Sequence, residues 1–271
     1  MRVEAGGIGI EYEVTGAGPP VVLLHGFPDT GRLWRHQVPA LVEAGFQAIV
    51  PDLRGYGRSD KPTEVEAYRR ELLVGDVLAV MSDAGAERAH VVGHDWGASL
   101  AWATALTAGE RVDHLVALSV GHPASFSATN IAQLEKSWYM LFFQFREIAE
   151  QWLRAGAWAN FRAWAGHPDA EATIAELETN GSLTPALNYY RANLPPDSYL
   201  RSRASVPPAR CPTMGVWSSG DRFLLESQMS RSGDHVAGPW RYARLEGPGH
   251  WMQLEAPAAV NELLVDFLPA P

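Results

Sequence analysis

The sequence predicts an α/β protein, a doubly wound and mostly parallel sheet with one helical segment inserted in it. Three observations predict it. Short apolar strands alternate with helical stretches from residue 21 to residue 120. A strand-to-helix corner, "GHDWG" at 93–97, sits inside that alternation. From 124 to 208 the alternation stops and helical, aromatic-dense sequence takes over, before strands resume at 213.

The elements follow in order. Residues 3–14 hold two extended stretches around Gly6 and Gly7, the second alternating Ile8, Ile10, Tyr12 and Val14, a pattern for an edge hairpin. After the turn residues 16–20, Val21, Val22, Leu23 and Leu24 have the continuous apolar character of a buried strand. Helices are then expected over 31–44, 68–83 and 98–107, with strands at 48–50, 89–92 and 115–120. The insertion contains "SWYMLFFQF", "QWLRAGAWANFRAW" and "PALNYYRANLPP", none of which alternates with the period of a strand. Strands at 213–217 and 241–245 and a helix over 257–268 complete the pattern. Residues 1–123 and 209–271 are therefore expected to form the core, and 124–208 a helical cap inserted in it.

Bulk properties narrow the function. A chain of 271 residues with 46% hydrophobic and 20% charged residues can bury a full core. Its net charge of -9 argues against nucleic acid or an anionic membrane surface as partner and fits a soluble enzyme with a small-molecule substrate. The first residues lead into glycines without the apolar run of an export signal. Cys211 is the single cysteine, which excludes an internal disulfide and suits a reducing cytoplasm, the expected location. No cluster has metal-ligand spacing, so neither metal nor cofactor is implied. The oligomeric state is not legible.

The chemistry starts at Asp95. Glycines two residues to either side give it the spacing of a nucleophile elbow, in which the central side chain projects above the sheet edge. Aspartate also caps helices well, so the pentapeptide alone leaves both roles open. In parallel sheets ligands bind at the carboxyl ends of strands. Those ends here are followed by His25-Gly26-Phe27-Pro28, the elbow, Ser219-Gly220-Asp221 and Gly249-His250-Trp251. The chain order nucleophile, acid, base is Asp95, Asp221, His250.

With "HGFP", "PDLRGYGRSDKP", "GHDWGAS", "SWYMLFFQF", "NYYRAN", "GDRFL" and "GHWMQLEAP" in register over nearly the whole chain, the sequence resembles the α/β-hydrolase family and, within it, the cap-bearing epoxide hydrolases. The resemblance implies a covalent route. An ionised carboxylate needs no base before attacking a saturated carbon, so Asp95 would form an alkyl ester with an apolar epoxide. His250, oriented by Asp221, would then activate water to release a diol. The backbone N–H groups of Phe27 and Trp96 are the implied oxyanion donors. Two cap tyrosines, Tyr139 and Tyr190, would donate to the epoxide oxygen, since a phenol is a neutral donor near pH 7. Tyr189 lies about 100° away from Tyr190 on a helix, so only one of the two can face Asp95, and the sequence leaves open which. His25, Pro28, Trp138 and Trp251, beside these motifs, are the expected pocket residues.

Two alternatives share the fold. A haloalkane or haloacid dehalogenase would use the same aspartate. Trp96 suits a halide cradle, but Phe27 stands where haloalkane enzymes commonly have asparagine, and Ser99 follows where fluoroacetate-type enzymes carry arginine. A binding-only member of the fold is the second alternative. One departure concerns the cap. Where many relatives have a proline-glycine turn, this chain has Arg146-Glu147-Ile148, so the helix carrying Tyr139 is expected to run on.

Overall fold

The computed structural model describes residues 1–126, 131–199 and 206–269. The edge hairpin is made by β1 (Arg2–Ala5) and β2 (Ile8–Thr15), turning at Gly6 and Gly7. Parallel strands follow: β3 (Pro20–Leu24), β4 (Gln47–Pro51), β5 (Ala89–His94), β6 (Val112–Leu118), β7 (Thr213–Ser218) and β8 (Trp240–Leu245). One eight-stranded sheet results, in the order β1-β2-β4-β3-β5-β6-β7-β8. Only the β1–β2 and β2–β4 pairs are antiparallel. The continuous apolar runs predicted as buried strands are indeed buried: Val21, Val22, Leu23 and Leu24 are wholly shielded, as are Val91 and Val92. Strands covered on both faces need no alternation.

The core helices are α1 (Gln37–Glu43), α2 (Arg70–Asp83) and α3 (Trp96–Thr107). The single helix expected over 31–44 is divided into a 3-10 turn at Gly31–Trp34 and α1. Pro39 explains the division: it has no N–H to continue a ladder from upstream, but near the start of a helix that donor would be unpaired anyway. The helix expected from 68 starts at Arg70, because Arg69 is extended and Asn193 accepts the Arg70 N–H at 2.8 Å. β6 begins three residues earlier than expected and stops at Leu118, ahead of Ser119 at φ 69.

Between β6 and β7 the regular elements of the described residues are helical, apart from a lone bridge of Ala209 to Val236. The helices are α4 (Ile131–Lys136), α5 (Trp138–Phe142), α6 (Ile148–Ala165), α7 (Ala170–Thr179) and α8 (Leu183–Asn193), followed by a 3-10 turn at Pro196–Tyr199. The run-on expected after "SWYMLFFQF" does not occur. α5 ends at Phe142, and Glu147 adopts φ 65 before α6, so a left-handed residue supplies the break that proline and glycine supply elsewhere. α6 is itself interrupted, with Gly156, Ala157 and Trp158 at positive φ. The chain closes with α9 (Glu226–Ser230), α10 (Met252–Glu255) and α11 (Pro257–Phe267). Among the described residues no helix is long and apolar enough to cross a membrane.

Candidate active site

Asp95 occupies the corner between β5 and α3 at φ 54, ψ -120, a conformation an L-residue holds only when its surroundings enforce it. The enforcement is legible in the neighbouring glycines. A Cβ on Gly93 would lie 2.2 Å from the Gly97 carbonyl oxygen, and one on Gly97 would lie 2.0 Å from that of Leu24. A Cβ on Gly26 would come within 2.4 Å of Asp95 Oδ1. Glycine at 26 therefore lets the loop after β3 approach the carboxylate, and the Phe27 N–H donates to Oδ1 at 2.8 Å. Trp96 opens α3, so its N–H has no partner within that helix. Asp95 makes no side-chain cap hydrogen bond, which sets aside the N-cap role.

Loops after β7 and β8 bring the other two members. His250 Nδ1 lies 2.9 Å from Asp221 Oδ2, and His250 Nε2 lies 3.7 Å from Asp95 Oδ2. Asp221 Oδ1 accepts the N–H groups of Phe223 and Leu224 at 2.8 and 3.0 Å, which fixes the carboxylate plane. Burial alone would push the Asp221 carboxyl up; the His250 imidazolium and these donors outweigh it and hold it below the usual range. For His250, burial disfavours the cation, yet Asp221 and then Asp95 raise it to about 10. His94 Nε2 donates to the His250 carbonyl oxygen at 2.9 Å. Burial and the nearby His250 lower His94 to about 4, which keeps it a neutral donor.

Tyr190 and Tyr139, from α8 and α5, roof Asp95. Both are buried, their ring centroids are 5.9 Å apart, and both line a cavity with Asp95 and His250. Burial and then the charge of Asp95 drive the Tyr190 phenol well above its usual value, so it stays protonated. Tyr189 turns away: its hydroxyl donates to the Arg54 carbonyl oxygen at 2.7 Å.

Pro28 and Trp251 line the same cavity, as does Phe27. His25 does not. It is buried below the loop, where Nδ1 donates to the Gly26 carbonyl oxygen at 3.1 Å and Nε2 accepts the Leu53 N–H at 2.9 Å. It braces the loop after β3 and does not line the cavity. Trp138 is also misplaced by the sequence reading. It is 44% exposed and packs on Phe142 and Trp152, facing an outer depression. Adjacent helical positions point about 100° apart, so Tyr139 turning inward sends Trp138 outward.

Sequence reasoning missed Trp164, Ala165 and Phe223, which complete the wall. Phe223 lies in the quoted "GDRFL", two residues from Asp221; nothing in "QWLRAGAWANFRAW" distinguishes Trp164 from its neighbours. It also missed a buried bridge under Trp251. Asp29 accepts the Trp251 indole N–H at 2.9 Å on Oδ2 and lies 3.0 Å from His167 Nε2 through Oδ1. Because His167 Nδ1 accepts the Asp169 N–H at 2.9 Å, Nε2 carries the proton and donates to Asp29. A depression of about 460 Å³ beside β2 is lined by neither Asp95 nor His250; its Arg35 and Arg58 are paired with Asp169 and Glu13. Among the described residues no group of three His, Cys, Asp or Glu could hold a metal ion.

Known proteins share this framework. Residues 19–257 match the family model described as alpha/beta hydrolase fold. Epoxide hydrolase A of Mycobacterium tuberculosis is 30% identical over 96% of this chain and 94% of its own. An epoxide hydrolase of Caballeronia sordidicola is 33% identical, covering 98% of this chain and 92% of its own. The crystal structure of Bacillus megaterium epoxide hydrolase in complex with an inhibitor superposes with a TM-score of 0.90 at 28% identity, over 98% of this chain and 99% of that one.

Proposed function

The chain belongs to the alpha/beta hydrolase family, and from that premise we propose that it opens epoxides with water to vicinal diols through an alkyl ester on Asp95. One observation supports this most: a carboxylate held by Phe27 and facing His250 lies under two phenols in the same cavity.

The oxygen of Asp95 that Phe27 does not hold, Oδ2, attacks an epoxide carbon. The carbon–oxygen bond breaks, its electron pair stays on the ring oxygen, and a proton comes to that oxygen from Tyr139 or Tyr190. Electrostatics favour the transfer. The negative charge leaves Asp95 as it develops on the ring oxygen, so the repulsion that raised the Tyr190 phenol disappears as its proton is needed.

Ester formation also prepares the second step. While Asp95 is ionised it helps hold His250 cationic. Once Asp95 is esterified that support is gone, the His250 pKa falls, its proton passes to the tyrosinate left by the first step, and the vacated Nε2 can take a proton from water. The water oxygen adds to Cγ of Asp95, the oxyanion develops on Oδ1 facing the Phe27 and Trp96 N–H groups, and collapse expels the diol oxygen, which takes the proton back from His250. The acid left on Asp95, which keeps one oxygen from water, gives its remaining proton to His250 and so restores the starting ion pair. Residues 124–208 act in this scheme as a cap supplying both phenols, and Asp221 orients His250 throughout. Substrate and water are the only partners required, and a cytoplasmic setting suits a chain with one cysteine.

The test is a parallel assay of purified protein with aryl and alkyl epoxides and the matching chloro- and bromoalkanes. Diol without halide release is expected. Halide release would transfer the leaving-group role to Trp96 and make a dehalogenase; neither product would support a binding-only protein.

A further inference from the structure

The cavity around Asp95, Tyr139, Tyr190 and His250 has room of only about 10 Å³, which is about enough for one water molecule. An open depression of about 390 Å³ lies outside it, against Ala132, Trp138, Arg222 and Leu225. Among the described residues, Trp164 and Phe223 alone line both spaces, with ring centroids 5.5 Å apart. Any substituted epoxide is larger than one water, so the wall has to open before chemistry.

We propose that Trp164 and Phe223 form a gate between a substrate vestibule and the catalytic cavity, and that Trp164 is its moving leaf and sets the size of epoxide admitted. The inference rests on the epoxide reading for its substrate, but not for the gate itself. The two rings are held differently. Phe223 is tied through its N–H to Asp221 Oδ1 and packs 5.1 Å from His250, so displacing it disturbs the triad. Trp164 sits in the last turn of α6, just before Gly166, which takes φ 61. Its Nε1 is shut away from solvent and has no hydrogen-bond partner. An unpaired buried donor is costly, and rotating the indole into the vestibule gives it water.

The vestibule indicates what part of a substrate stays outside. Trp138, Leu225 and Ala132 give its lining apolar surface beside the charges of Lys136, Arg222 and Glu135. An epoxide carrying one apolar aryl or alkyl substituent can pass its ring between Trp164 and Phe223 and leave the far end of the substituent in this depression. Bulky groups on both epoxide carbons cannot pass.

Two measurements test the gate. The first needs no turnover. Ala165 is buried on the cavity wall, so Ala165→Cys in a Cys211→Ser background reports access through its rate of labelling by methyl methanethiosulfonate. Labelling should be slow with Trp164 present and about tenfold or more faster with Trp164→Ala or Trp164→Leu. Leu225→Trp, which fills the vestibule, should slow it. The second compares styrene oxide with trans-stilbene oxide as kcat/KM ratios; Trp164→Ala should shift the ratio about tenfold or more toward the bulkier epoxide. Unchanged labelling in a folded Trp164 variant overturns the gate. Faster labelling with no diol from any variant keeps the gate and rejects the epoxide reading. Faster labelling with an unchanged ratio overturns the claim that Trp164 sets substrate size.

Discussion

His250 Nε2 stands 3.7 Å from Oδ2 of Asp95, the only triad distance beyond hydrogen-bond reach, while Nδ1 is bonded to Asp221 at 2.9 Å. In the proposed mechanism the gap is an ion pair between a cationic base and the carboxylate whose ester that base later helps hydrolyse. The base is therefore restrained until the carboxylate loses its charge.

Asp95→Asn should lower the His250 pKa from about 10, because one of the two carboxylates supporting the cation is removed. NMR titration of the imidazole measures it. The sign for stability follows. A folded pKa above the ordinary 6.5 contributes stability that is full below 6.5 and lost as pH rises through about 10. The melting temperature of the native chain should fall more steeply over that interval than that of Asp95→Asn. Equal slopes would contradict the pairing.

His250→Gln should stall the reaction after ester formation, with steady-state turnover down by roughly 10⁴-fold. Intact-mass spectrometry should show the chain heavier by one substrate, and Asp95→Ala should show no such adduct. In a single turnover in ¹⁸O-labelled water, the label should appear in the peptide containing Asp95 and not in the diol. Label in the diol would mean direct attack of water on the epoxide.

The adjacent tyrosines should separate cleanly. Tyr190→Phe, or Tyr139→Phe with it, removes a donor to the epoxide oxygen and should slow alkylation by about 10² to 10⁴-fold in rapid-quench experiments. Tyr189→Phe loses the hydrogen bond to the Arg54 carbonyl and should cost about 1 kcal/mol of stability. Its alkylation rate should stay close to the native value.

His167→Phe should destabilise the protein, by about 3 kcal/mol or more, because it leaves the buried Asp29 carboxylate with Trp251 as its remaining side-chain donor. Burial raises the Asp29 carboxyl, but His167, with His94 and the Trp251 indole, outweighs it and brings the pKa below the ordinary 3.8. The stability this contributes is present above 3.8 and is lost as pH falls below it. Acid unfolding followed by tryptophan fluorescence should begin at higher pH in His167→Phe.

The sequence by itself determined the sheet, the elbow and the order Asp95, Asp221, His250. Buried parallel strands have a composition of their own, and the glycines at 93 and 97 are required by backbone contacts that only a missing Cβ allows. Helical geometry says that only one of Tyr189 and Tyr190 can face Asp95; the packing of α8, which sends the Tyr189 hydroxyl to the Arg54 carbonyl, decides which. Tertiary structure decided what depends on packing between distant segments. His25 and Trp138 share motifs with site residues, yet one is used to hold the loop and the other faces outward. Trp164 and Phe223 meet from positions 59 residues apart, and Asp29 joins His167 to Trp251 across 138 and 222 residues. No local period encodes such contacts. A side chain's exposure, its partners and the free space before it are set by which elements pack together, and that is fixed only when the whole core is assembled.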